Sequence, residues 1–171
     1  METVADDTVG PAAREFPAFF EAEHLRLGRA IYLLTGDRAE AEELVQEALA
    51  RAYERWDRVG SMAEPAGYVY RIAANLYLKR LRRRRLLHPL SAEVRETDAD
   101  PSEQAGRRID LLAALATLPV EQRAALVLVE YLGYDAETAG RILGVKAVSV
   151  RVRIHRARAR LREELGGTDD V

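Results

Sequence analysis

Between Lys146 and Arg162 the sequence KAVSVRVRIHRARARLR places a cation at nearly every second position, with arginines at 151, 153, 156, 158, 160 and 162 and a histidine at 155. No acid is interspersed until Glu163 and Glu164. Guanidinium groups so arranged repel one another unless anions neutralise them, and the repeating anion that fits such a row is a phosphate backbone. The chemistry expected here is therefore nucleic-acid binding. Bond-making chemistry finds no place: the chain has three histidines and no cysteine, with neither an HExxH pair nor a phosphate-cradling glycine loop. We expect no catalytic residue, no metal and no cofactor.

The elements that must hold this row are readable from spacing. Asp135 is placed to cap a short helix over 136–143, Gly144-Val145-Lys146 forms a tight turn, and a longer helix runs over 147–165 to Gly166-Gly167. Short helix, turn and long helix is the layout of a helix-turn-helix. On the long helix Val150, Ile154, Ala157, Leu161 and Leu165 share one narrow apolar face. Arg151, His155, Arg158 and Arg162 flank it on one side, and Arg153, Arg156 and Arg160 on the other. Val148 and Val152 lie opposite that face and should point outward, where a valine can touch a thymine methyl in the major groove. His155 is equally well a phosphate donor or a plain surface residue.

The remainder reads at helical period with no alternating strand pattern, so the chain is expected to be all-α. Its formal charge of −2 over 171 residues hides a segregation. Residues 37–57 hold seven acids against three arginines, whereas residues 71–85 hold seven bases and no acid. We expect a loose tail over 1–13 and a first helix over 14–34 with Phe16, Phe19, Phe20, Leu27, Ile31 and Leu34 toward the core. Asp37 and Glu40 then form a capping-box-like start to a second helix reaching Val59. That helix carries Leu44, Val45, Ala48, Leu49, Ala52, Trp56 and Val59 on one stripe and leaves Glu43, Gln46, Glu47 and Glu54 outside. Pro65 opens a basic helix to Leu87. The acidic stretch 91–106 cannot bury much surface and reads as part of a flexible linker. Helices over 107–117, 119–132, 136–143 and 147–165 complete a second unit. The expected architecture is two small helical domains (14–88 and 107–166) joined by an acidic linker (89–106), with a tail over 167–171. The acidic N-terminus lacks a basic leader, and the apolar run 124–129 is too short for a bilayer, so we expect a cytoplasmic protein without membrane insertion.

Three stretches in order, LTGDRAEAEELVQEALARAYERW (33–56), PAGYVYRIAANLYLKRLRRRR (65–85) and LPVEQRAALVLVEYLGYDAETAGRILGVKAVSVRVRIHRARARLREEL (118–165), resemble the extracytoplasmic-function sigma factors of bacterial RNA polymerase, in particular the actinobacterial type. The resemblance implies an alternative sigma factor that brings core polymerase to promoters and helps open the DNA, with core enzyme, promoter DNA and in some cases an anti-sigma factor as partners. It implies that Glu43, Gln46 and Glu47 dock on the polymerase clamp; an exposed acidic face suits a basic partner and repels DNA. It implies that Asn75 lines a pocket for an extruded base, with Tyr68 beside it where many members carry tryptophan. Arg71, Lys79, Arg80, Arg82, Arg83, Arg84 and Arg85 would then hold minus-ten phosphates. Lys146, Val148, Ser149, Arg151, Val152, Arg153, His155 and Arg156 would meet the minus-thirty-five element. The loop 60–64 resembles the strand-separating element, and the linker resembles a segment that threads polymerase channels.

Two departures stand out. The family's usual Ser-x-Gly-Thr before the recognition helix is Lys146-Ala147-Val148-Ser149 here, which removes the usual cap. Ala139 and Gly140 replace better helix formers, so a less stable second domain or an unusual promoter is expected. Two alternatives remain: a stand-alone helix-turn-helix regulator, for which no heptad seam offers a dimer interface, and a sigma-like adaptor that does not support initiation.

Overall fold

The computed structural model describes residues 11–87 and 103–166, with the side chains of 11–14 and 103–105 left aside. Residues 1–10 and 167–171 of the expected tails and most of the acidic linker lie outside the described residues, but 11–13, expected in the loose tail, already belong to the first helix. What is described is helical: α1 (Pro11–Thr35), α2 (Arg38–Tyr53), α3 (Trp56–Val59), α4 (Pro65–Leu87), α5 (Glu103–Ala116), α6 (Val120–Leu126), α7 (Ala136–Leu143) and α8 (Ala147–Gly166).

In the first half, α1 packs on α2 and α4, and α2 on α4. Thr35-Gly36 ends α1, with Gly36 at φ 73°, a conformation that favours glycine. Asp37 then accepts the Glu40 N–H at 2.9 Å and starts α2. The apolar residues of α2 fall on one stripe, and Leu44, Ala48 and Ala52 are fully buried. The helix expected to continue to Val59 breaks at Glu54 and Arg55, where Arg55 leaves helical geometry at φ −125°. The break turns Trp56 into the aromatic end of α1, where its ring centroid lies 5.0 Å from Phe16 and 4.9 Å from Phe19. Phe20, expected in the core, is 40% exposed at the rim of this cluster.

In the second half α5 begins at Glu103, four residues before the apolar period becomes visible. The expected 119–132 helix is α6 followed by a π-helical turn, Val127–Tyr131, closed by the Leu132 N–H on the Val127 carbonyl at 3.0 Å. That widened turn leads into Gly133 at φ 80° and sets the chain toward α7. The buried apolar residues form one continuous cluster that runs from Leu27 and Leu44 through Val69 and Tyr70 to Leu128, Val150 and Ile154. The two halves therefore share packing as well as chain.

Candidate nucleic-acid interface

The helix-turn-helix is held by backbone geometry. The Asp135 carboxylate accepts the Thr138 N–H at 2.7 Å, and that bond, supported by Arg141 and Arg151, holds its carboxyl below the usual range. Gly144 closes α7 in the left-handed region at φ 69°. At Gly140 a Cβ would stand 2.7 Å from the Val145 carbonyl oxygen, so only glycine lets the turn fold back this tightly. Gly140, which the sequence offered only as a poor helix former, is thus what permits the turn, and Ala139 beside it is fully buried. The first turn of α8 closes through the Ser149 and Val150 N–H groups on the Lys146 carbonyl.

The inward face of α8 is Val150, Ile154 and Ala157, with Leu161 partly buried. Leu165 is 44% exposed, so the apolar face ends one turn earlier than its spacing suggested. Val148 and Val152 point outward, 58% and 42% exposed, among exposed His155 and Arg156. Lys146 is exposed beside them and Ser149 is half-buried. The arginines are less uniform than the sequence implied. Arg151 is ion-paired with Glu137 of α7, and Arg158 with Glu130 of the π turn, so acids distant in sequence supply what the helix lacks. The half-buried Arg153 and the exposed Arg156 and Arg160 have no carboxylate partner among the described residues and are available to a phosphate.

The basic helix α4 divides into two faces. Tyr68, Arg71, Asn75, Lys79 and Arg82 follow one another at intervals of three or four along one side; Tyr68 is half-buried and the others are exposed. The Asn75 amide makes no hydrogen bond among the described residues, so it is not consumed by its own backbone. Arg83 and Arg85 are also exposed. Arg80 and Arg84 turn instead to α2. Arg84 is ion-paired with Glu40, whose side chain is 5% exposed, and this bond raises the arginine's already high pKa. Arg80 lies 3.1 Å from Glu43, 3.8 Å from Glu47 and 3.9 Å from Glu40.

The acidic face of α2 is therefore part of a charge cluster. Glu43 keeps 68% of its side chain exposed, Gln46 is exposed, and Glu47 is half-buried with Arg51 at 2.6 Å. Two residues that sequence reasoning passed over join the halves. The Tyr70 hydroxyl, fully buried, donates to the Ala124 carbonyl at 3.1 Å. Arg123, 9% exposed, donates to the carbonyls of Leu34 at 2.6 Å and Leu118 at 3.0 Å. The available signal was a lone arginine in the apolar run VEQRAALVLV, since a cation is retained in such a run only where it finds acceptors.

Comparison with known proteins matches these two halves separately. Residues 19–86 match the family described as Sigma-70 region 2, and residues 108–161 match Sigma-70, region 4. The ECF RNA polymerase sigma factor SigE of Mycolicibacterium smegmatis is 37% identical over 82% of this chain, which spans 57% of that protein's length. SigM of Mycobacterium tuberculosis, also an ECF RNA polymerase sigma factor, is 34% identical over 88% of this chain and 77% of its own. Among solved structures, the sigma factor RpoE of Bartonella quintana, in complex with the anti-sigma factor NepR, superposes with a TM-score of 0.71 at 25% identity, covering 91% of this chain and 99% of that one.

Proposed function

The chain belongs to the ECF RNA polymerase sigma factors, and we propose that it directs the polymerase core enzyme to specific promoters and helps to open them. The exposed Glu43 and Gln46 and the half-buried Glu47 beside them offer the core enzyme a surface that suits a basic partner. The α4 stripe of Tyr68, Arg71, Asn75 and Lys79 follows the melted minus-ten strand: the amide meets the edge of an extruded base, the tyrosine ring offers it a stacking face, and the cations hold backbone. Arg82, Arg83 and Arg85 extend that backbone contact. The outward face of α8 enters the minus-thirty-five major groove with Val148 and Val152 at base edges and Arg153 and Arg156 on phosphates.

The observation that carries this reading is the division of α4, with one face bonded to the acidic helix and the other open with an unbonded asparagine at its centre. Sigma factors are generally non-enzymatic initiation factors, and we read this chain as one without catalysis. No described helix is long and apolar enough to cross a membrane; we place the protein in the cytoplasm, with the polymerase. An anti-sigma factor is a fitting regulator, as in the Bartonella complex. Co-purification with core enzyme tests the docking: Glu43→Lys with Glu47→Lys should abolish it with helical content intact, and retained binding would contradict the assignment.

A further inference from the structure

The long helix α8 carries cations along two flanks, and only one flank is left without acids. Val150, Ile154 and Ala157 are buried and Val148 and Val152 are exposed on the opposite side, so Arg151 and Arg158, seven positions apart, lie along one flank between them. Arg153 and Arg160, also seven apart, lie along the other. Each arginine of the first flank meets an acid from a different element: Arg151 is ion-paired with Glu137 in the first turn of α7, and Arg158 with Glu130 of the π-helical turn. No carboxylate among the described residues meets Arg153, Arg156 or Arg160. Folding stability gives little reason for this asymmetry. The four paired side chains are 45–58% exposed, and ion pairs so exposed add little to stability.

The consequence concerns the duplex, and it rests on the minus-thirty-five reading above. A helix lying in a major groove has a phosphate backbone at either edge. A free guanidinium that neutralises a phosphate releases a condensed counterion, whereas an arginine that brings its own carboxylate adds no net charge and releases none. We propose that Glu130 and Glu137 limit the grip of α8 to one edge of the groove: they neutralise the flank of Arg151 and Arg158 and leave Arg153, Arg156 and Arg160 to hold backbone. The phosphate term that is withheld is the one that drives binding to DNA of any sequence. Bulk DNA then withdraws less of the chain from the core enzyme.

Salt-dependent binding of the full chain to a random-sequence duplex tests this, because the slope counts net phosphate contacts. With helical content retained, Glu137→Gln and Glu130→Gln should each steepen the slope by about 0.9, so that affinity falls about 3.5-fold further from about 50 to 200 mM salt than for the natural chain. Unchanged slopes overturn the proposal. Removing both partners, Glu137→Gln with Arg151→Gln, should restore the natural slope; a flatter one means that Arg151 already holds a phosphate, and overturns it too. Glu163→Gln controls for charge alone, since Glu163 is exposed on the same helix and has no cation partner among the described residues. It should leave the slope unchanged, and steepening equal to that of Glu137→Gln contradicts the role of the pairs. If the natural chain binds no duplex at any salt, the minus-thirty-five reading fails and immobilised heparin decides the restraint by itself. Glu130→Gln with Glu137→Gln should then elute at higher salt than both the natural chain and Glu163→Gln, and coincident elution overturns the inference.

Discussion

The carboxylate of Glu40 is buried between α2 and α4 and is bonded there to the guanidinium of Arg84. This pair ties the acidic helix to the basic one and removes Arg84 from the group of arginines free to meet a phosphate. Arg84→Leu should cost about 2 kcal/mol of folding stability, since a buried carboxylate loses its main partner while Arg80 at 3.9 Å and solvent at the half-exposed arginine soften the loss. Arg83→Leu, one position away and exposed, should change stability by less than about 0.5 kcal/mol. It should, however, flatten the salt dependence of DNA binding by about one phosphate contact. Urea titration and salt-dependent binding separate the two; equal stability losses would contradict the division of α4.

Tyr70 makes stability sensitive to alkali. Burial pushes its phenol far above the ordinary value of 10, with the nearby Arg123 opposing only in part. The folded form thus keeps a proton that the unfolded form releases. The contribution is complete below pH 10 and is lost as pH rises beyond it, at about 1.4 kcal/mol per pH unit. Tyr70→Phe should remove this component and give a shallower alkaline limb than the natural chain. Identical limbs would show that the hydroxyl is ionisable where it sits.

Two glycines in helices should respond oppositely to alanine. Gly140→Ala drives a Cβ to within 2.7 Å of the Val145 carbonyl and should unfold the helix-turn-helix turn, with a loss of about 2 kcal/mol or more and weakened minus-thirty-five binding. Gly28→Ala meets nothing within 4 Å in the interior of α1 and should stabilise by about 0.5–1 kcal/mol. Thermal unfolding of both variants decides, and a tolerated alanine at 140 would contradict the geometry described for the turn.

Val152 and Arg153 are adjacent and should fail differently. Val152→Ser should relax preference at one base position by about 1 kcal/mol, because a methyl contact is lost. Arg153→Ala should weaken binding to most sequences and lower the salt slope. Selection from randomised DNA by the full chain reads both; an unchanged selected sequence for Val152→Ser would assign that valine to a protein partner.

Much of this was legible beforehand because helical period, caps and glycine turns are local signals. Asp37, Asp135 and Gly144 marked their boundaries, and the outward position of Val148 and Val152 followed from the wheel alone. What was not legible is non-local. Nothing near Arg84 in sequence says that Glu40 takes it, and nothing near Arg151 or Arg158 announces Glu137 or Glu130. At the break at Glu54–Arg55 Trp56 packs against Phe16 and Phe19, a tertiary contact that the continuous apolar pattern does not announce. Gly140 looked like a weakness because its value lies in what a Cβ would strike.

The most direct test of promoter direction is transcription by purified core enzyme, with and without this protein, on a library of fragments, with start sites mapped by sequencing. The account predicts discrete starts only when the protein is present, preceded by shared sequences at minus ten and minus thirty-five, and lost for the chain carrying Asn75→Ala after DNA has bound but before thymines around the start become reactive to permanganate. Transcripts with the same starts in its absence, or DNA binding by the protein with no initiation at all, would contradict it.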